Sequence, residues 1–204
     1  MVRVKICGLT RLEDALLAEA LGAYALGFVL APGSRRRLAP EAARGISRAL
    51  GPFVVRVGVF RDQPPGEVLR LMEEARLQVA QLHGAEPPEW AEAIGRFFPV
   101  IKAFSLDGPA RPEWAGYPAW ALLLDSPSPG SGKPYPRAWA EPLLGTGKRV
   151  ILAGGITPEN APEALALRPY AIDLASGVEE AVGVKSRARL EALFARVRAF
   201  MMGA

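Results

Sequence analysis

Val2-Arg3-Val4-Lys5-Ile6-Cys7-Gly8 opens the chain as a short run in which apolar and polar side chains alternate before a turn-forming glycine. Alternation of period two marks a strand, with Val2, Val4 and Ile6 on one face and Lys5 and Cys7 on the other. Seven further apolar runs follow, at 25–30, 53–60, 78–83, 99–104, 119–126, 149–155 and 171–177. Helix-like stretches separate them near 11–21, 40–49, 65–76, 87–96, 136–144, 158–166 and 186–201. Many of these open with proline or an acidic first turn, as helix starts prefer. The connection 105–118 carries little helix signal. Eight such units predict a ring of parallel strands wrapped by helices, a compact single-domain (β/α)8 TIM barrel over residues 1–204. A doubly wound open sheet is the competing architecture. The first turn speaks against it, because Cys7-Gly8-Leu9-Thr10 is not a glycine-rich dinucleotide loop.

A chain of 204 residues that is 50% hydrophobic can build one sizeable core without a second domain. Its single cysteine cannot form an internal disulfide, and no basic stretch precedes a long apolar run, so a cytoplasmic protein that avoids the membrane is expected. The net charge of +4 is too small and too scattered for a nucleic-acid footprint, and suits a small anionic ligand. The sequence favours neither a monomer nor a homodimer. Abundant arginine and proline with one asparagine fit either heat adaptation or a GC-rich genome.

In a barrel of this kind the chemistry gathers at the C-terminal ends of the strands. Cys7 would stand there. Lys5 lies inside one level below, and Asp173 faces inward from the eighth strand, which adjoins the first once the ring closes. A buried ammonium needs a partner, so a Lys5–Asp173 ion pair is expected beneath the thiol; the alternative is that Lys5 reaches the lower rim. The same sorting puts Arg56, Gln81, His83 and Asp125 on the lumen side, although a polar residue ending a strand also serves as a cap or turn former. Gly154-Gly155 after strand seven and Ser176-Gly177 after strand eight occupy the two loops that commonly hold phosphate, with 178–185 spare for a short extra helix.

Other signals are weaker. Gly130-Ser131-Gly132-Lys133 fails as a nucleotide loop, because Pro127 and Pro134 stand at its required glycine and hydroxyl positions. Arg35-Arg36-Arg37 lies in a mouth loop where a guanidinium could clamp a carboxylate. One histidine and one cysteine give no metal spacing, and neither metal nor cofactor is expected.

Several strings fall in order at the expected strand ends: Lys5-Ile6-Cys7-Gly8-Leu9-Thr10, Gly27-Phe28-Val29 with Ser34-Arg35-Arg36, Val57-Gly58-Val59-Phe60, Gln81-Leu82-His83-Gly84, Leu124-Asp125-Ser126 with Gly132-Lys133, Leu152-Ala153-Gly154-Gly155-Ile156 with Asn160, and Asp173 through Glu179 with Gly183-Val184-Lys185. Read together, they resemble the phosphoribosylanthranilate isomerases of tryptophan biosynthesis. The resemblance runs from the first strand to the last helix. It implies an Amadori rearrangement of a phosphosugar without cofactor or metal. It also implies Cys7 as general base, Asp125 as general acid, Arg36 on the anthranilate carboxylate, and Gly154, Gly155, Ser176 and Gly177 on the phosphate. Gln81, His83 and Asp173 match positions at the family's mouth.

The chemistry calls for such a division, since ring opening needs a proton on the furanose oxygen and the next step removes one from C2'. A free thiol is only a few per cent ionised at neutrality, and Lys5 two residues back is expected to raise that share. Pro127 through Tyr135 departs from the family's longer glycine-rich loop, which points to a shortened or stiffened lid. Related sugar-phosphate barrels differ in the expected places: an epimerase would want metal ligands, and a histidine-pathway isomerase a carboxylate where Cys7 stands. A scaffold protein would keep the glycines and need neither Cys7 nor Asp125.

Overall fold

A computed structural model describes residues 3–127 and 134–203. Eight strands alternate with helices along the chain: β1 Arg3–Ile6, α1 Leu12–Leu21, β2 Ala25–Val29, α2 Pro40–Ala49, β3 Val55–Phe60, α3 Pro65–Glu74, β4 Val79–Leu82, α4 Pro88–Gly95, β5 Val100–Ser105, β6 Ala121–Asp125, α5 Glu141–Leu144, β7 Arg149–Leu152, α6 Ala161–Ala166 and β8 Ala171–Leu174. A short hairpin, β9 Glu179–Ala181 and β10 Val184–Lys185, precedes the closing helix α7 Arg187–Met202. All eight main strands pair in parallel and in sequence order, and β8 returns to β1, so the sheet closes into the expected barrel.

Local chemistry explains the element ends. Pro40, Pro65 and Pro88 each sit at a first helical position, where the missing N–H has no intrahelical role. Gly22 ends α1 in the left-handed region at φ 102°, which a side chain would resist. Ser186 starts α7 by accepting from the Arg189 amide. Where the expected spans run long, backbone geometry cuts them. The seventh strand stops at Leu152 because Gly154 and Gly155 both turn to positive φ. The sixth helix begins only at Ala161 because Asn160 folds back to accept from the Thr157 amide at 2.8 Å. The stretch expected as one helix at 136–144 is a 3-10 turn, Arg137–Ala140, followed by the single turn of α5. Between β5 and β6 a 3-10 turn, Pro112–Gly116, stands in for a helix and stacks Trp114 on Phe104 at 4.3 Å.

Strand alternation sorts two cores. Outward residues such as Ile6, Phe28, Leu82 and Leu122 are fully buried against the helices. Burying one such side chain contributes about 1.5–3 kcal/mol. Inward residues Ala25, Val57, Ile101, Leu123 and Ile151 fill the lower lumen. A smaller bowl of about 190 Å³ lies beneath them, among the side chains of Arg3, Tyr24, Trp120, Arg149 and Tyr170.

Arg56 contradicts the expected lumen placement. Val55, Val57 and Val59 take the inward positions of β3, and Arg56 points the other way. Its guanidinium donates to the carbonyls of Ser47, Leu50 and Gly51, at and just beyond the C-terminal end of α2, and to that of Val54. A fixed cation there satisfies carbonyls that the helix leaves unpaired and complements its dipole.

Candidate active site at the barrel mouth

A cavity of about 520 Å³ opens at the C-terminal ends of the strands. Cys7, Arg36, Gln81, His83, Asp125, Gly154, Gly155, Asp173, Ser176 and Gly177, far apart in the chain, all line it. The barrel brings these ten residues together.

Register explains the charged floor. Lys5 of β1 pairs level with Asp173 of β8, and both side chains point inward. The expected ion pair forms, with Lys5 Nζ 2.9 Å from Asp173 Oδ2 and exposures of only 3% and 7%. Burial lowers the Lys5 ammonium, but Asp173 and then Cys7 outweigh it, and the net direction is upward. Asp173 Oδ1 is buried without a hydrogen-bond partner. Since a buried carboxylate oxygen without a donor is costly, it is a natural acceptor for a ligand hydroxyl.

Lys5 favours the Cys7 thiolate as expected, but it does not decide the state of the thiol. Burial pushes the thiol up, Lys5 pulls it down, Asp173 opposes Lys5, and burial prevails. The ammonium already faces a carboxylate, so its field at sulfur is partly cancelled. Space for the sulfur comes from Gly27 on the neighbouring strand, where an added Cβ would lie 2.7 Å from Sγ and 3.2 Å from Lys5 Nζ. Gly27→Ala should therefore displace both groups. We expect a loss of about 1–3 kcal/mol in stability from overpacking, and a fall in turnover larger than any change in KM. Wild-type turnover in that variant would remove this role for the glycine.

Across the mouth, Asp125 ends β6 and His83 follows β4. Asp125 Oδ1 accepts from the Ser126 amide at 2.7 Å, and Oδ2 lies 3.3 Å from His83 Nε2. Gln81 Nε2 stands 3.0 Å from His83 Nδ1. With the Gln81 amide nitrogen donating, Nδ1 accepts, and Nε2 is buried near Asp125 without a hydrogen bond of its own. Gln81 Oε1 is buried and unpartnered, a second acceptor for a ligand.

The glycine-bearing ends pack against one another. Gly154 and Gly155 have φ 72° and 64°, and a Cβ on Gly154 would come within 2.6 Å of the Ser126 amide. A Cβ on Gly177 would collide with the Ile156 carbonyl, so only glycine lets these two loops meet. Asn160 fixes the first loop by donating to the Gly155 carbonyl at 2.9 Å. The expected extra helix is one 3-10 turn, Ser176–Val178, followed by the hairpin rather than by more helix.

Sequence reading missed several supports because their signals lie in partners distant along the chain. Arg36 forks onto Glu179, with Nε to Oε1 at 2.8 Å and Nη2 to Oε2 at 2.6 Å. Arg137 donates to the carbonyls of Ala153 and Gly154 and lies over the Tyr135 ring. Burial pushes the Tyr135 hydroxyl up to about 12. Lys102 and Glu86 form a second buried pair at 2.6 Å. Glu86 also accepts from the amides of Asp62 and Gly84, joining the loops that follow β3 and β4 beside His83. Burial alone would raise its carboxyl, but Lys102 and the Asp62 amide hold it below its usual range. The glycine-lysine stretch, and residues 128–133 of the shortened lid expected over Pro127 through Tyr135, lie outside the described residues.

Comparison with known proteins fits this geometry. The family model for N-(5'-phosphoribosyl)anthranilate (PRA) isomerase matches residues 4–196. The chain belongs to the PRA isomerase family. The PRA isomerase of Deinococcus radiodurans is 42% identical over 206 residues, which covers 97% of each protein. The solved PRA isomerase of Thermus thermophilus is 82% identical with a TM-score of 0.96, covering 97% of this chain and 99% of that one. A PRA isomerase solved in complex with reduced 1-(o-carboxyphenylamino)-1-deoxyribulose 5-phosphate is 37% identical with a TM-score of 0.88, covering 98% of this chain and all of that one.

Proposed function

We propose that Cys7 and Asp125 are the base and acid with which this PRA isomerase rearranges its substrate. The protein converts N-(5'-phosphoribosyl)anthranilate to 1-(2-carboxyphenylamino)-1-deoxyribulose 5-phosphate, a step of tryptophan biosynthesis. In our reading Asp125 protonates the furanose oxygen as the C1'–oxygen bond breaks, leaving an iminium. The Cys7 thiolate then takes the proton from C2', and the resulting enolamine tautomerises to the ketone. Atoms and charge balance without an external reagent. The observation that carries this reading is that a thiol and a carboxyl group line one cavity, with a guanidinium and glycine-rich loops on its walls.

The phosphate is assigned to Gly154, Gly155, Ser176 and Gly177, where backbone amides can approach an anion closely. Arg36 is assigned to the anthranilate carboxylate. Gln81 Oε1 and Asp173 Oδ1, both buried without partners, suit the sugar hydroxyls. Adding synthetic substrate and following the decay of its fluorescence tests the reaction directly. A clamp that acts in ground and transition state alike governs affinity, so Arg36→Ala should raise KM by about tenfold to a hundredfold with kcat little changed. A fall in kcat at constant KM would count against the clamp.

A further inference from the structure

We propose that Glu179 is a positioning residue that aims Arg36 at the substrate carboxylate, itself held in place by Lys185. This rests on the assignment of Arg36 made above and deepens it.

A guanidinium has two usable edges in one plane. Glu179 takes the Nε and Nη2 edge of Arg36 through two short bonds. The other edge, formed by Nη1 and the second Nη2 hydrogen, stays available to a carboxylate, and Arg36 lines the cavity. The arginine stem is confined as well. Gly8 has φ 70°, and a Cβ there would lie 2.5 Å from Arg36 Cδ, so the stem rests on the backbone next to Cys7. Arg36 is thus fixed at both stem and head.

Glu179 is anchored in turn by the hairpin, where Lys185 stands opposite it in register. Lys185 Nζ donates to Glu179 Oε1 at 2.9 Å, to the Cys7 carbonyl at 2.6 Å and to the Ala175 carbonyl at 3.2 Å. Three acceptors match the three protons of an ammonium. The Gly183 amide also reaches Glu179 Oε1 at 3.3 Å, and the Lys185 amide is held by Asp14 at 2.9 Å. Both side chains of the Glu179–Lys185 pair are buried, with exposures of 5% and 0%. One buried pair therefore connects the base-bearing end of β1, the strand β8 end beside the glycine loop, and the arginine. Arg36 and Lys185 also place two cations at this wall of the mouth, which suits a substrate that bears a carboxylate and a phosphate.

Glu179→Gln keeps the shape but turns one acceptor into a donor facing a donor, so the fork cannot form. The stable ligands are reduced 1-(o-carboxyphenylamino)-1-deoxyribulose 5-phosphate and its counterpart lacking the ring carboxylate, with dissociation constants measured by calorimetry. We expect Glu179→Gln to weaken the carboxylate-bearing ligand by about tenfold or more, and the other by less than about threefold. Glu179→Asp, which keeps the charge on a shorter arm, should show a smaller loss in the same ratio, and is read alone where the glutamine variant does not fold. Arg36→Met should abolish the preference for the carboxylate. If Arg36→Met abolishes it and both Glu179 variants retain it, the positioning role is overturned while the Arg36 assignment stands. Equal weakening of both ligands would reduce Glu179 to a structural residue. If Arg36→Met leaves the preference intact, both assignments fall together.

Discussion

Cys7→Ser and Asp125→Asn should each lower kcat by about two to four orders of magnitude, the usual contribution of one general acid or base. Each substitution changes little in size, so the folded state should survive and far-ultraviolet dichroism should match the wild type. Turnover near the wild-type value in either would sink the assignment. The pH profile carries a second signature. The base acts as a thiolate, and burial pushes the Cys7 thiol above its ordinary range. Activity limited by that ionisation rises with pH, so kcat/KM should climb through neutrality into the alkaline region. A base limb that is complete well below neutral pH would point to another group. Cys7→Ser should erase the limb, because a hydroxyl does not ionise in that range.

Lys5→Met should cost about 3–5 kcal/mol of stability, the usual penalty for stranding one member of a buried ion pair. Asp173 is only 7% exposed, and one of its oxygens is already without a partner. The loss should appear as a lower midpoint in guanidinium chloride with the slope unchanged. Activity should fall as well, because Lys5 is the strongest influence drawing the Cys7 thiol down and its removal leaves burial and Asp173 opposed only by the weaker pull of Lys185. Adding Asp173→Leu to Lys5→Met should restore much of the stability and none of the activity, since an apolar pair can replace a buried ionic one without the carboxylate's role at the mouth. A single Lys5→Met variant as stable as the wild type would show that the pair contributes nothing. The pH dependence has a definite sign. The folded Lys5 ammonium titrates above its unfolded value of about 10.4. Its contribution is therefore complete below that value and disappears as pH rises through the folded one. Strong alkali should destabilise the wild type more than Lys5→Met.

Two buried carboxylates paired with cations predict the opposite limb. Glu86 and Glu179 are both held below their usual range, Glu179 because Arg36 and Lys185 outweigh the upward push of burial. Their contribution is present above about pH 4.3 and falls away as pH drops through the folded values.

Much of this was legible in the chain. The alternating run 2–8 placed Lys5 and Cys7 inside, because a strand's period is two and cannot drift. Closure of eight units then made β8 the neighbour of β1, and the level of Asp173 with Lys5 followed. Arg56 was misread by one position. Val54 through Val59 offers apolar side chains on both faces, so alternation gives no phase there. The deciding partner was a helix end whose carbonyls needed a cation. The state of the thiol was also beyond the sequence, which shows a lysine two residues away but neither the carboxylate facing that lysine nor the loss of water around sulfur.

The sequence by itself determined the barrel, the strand ends that bear chemistry and the identity of the groups at its mouth, since periodicity and turn-forming residues act over a few neighbours. Only the tertiary structure decided which side chains face one another across the ring: Glu179 on Arg36, Lys185 beneath both, Gly27 making room for sulfur, and Glu86 with Lys102 bracing the loop of His83. Those contacts join segments up to 143 residues apart, and their energies depend on burial and direction, which exist only once the ring has closed.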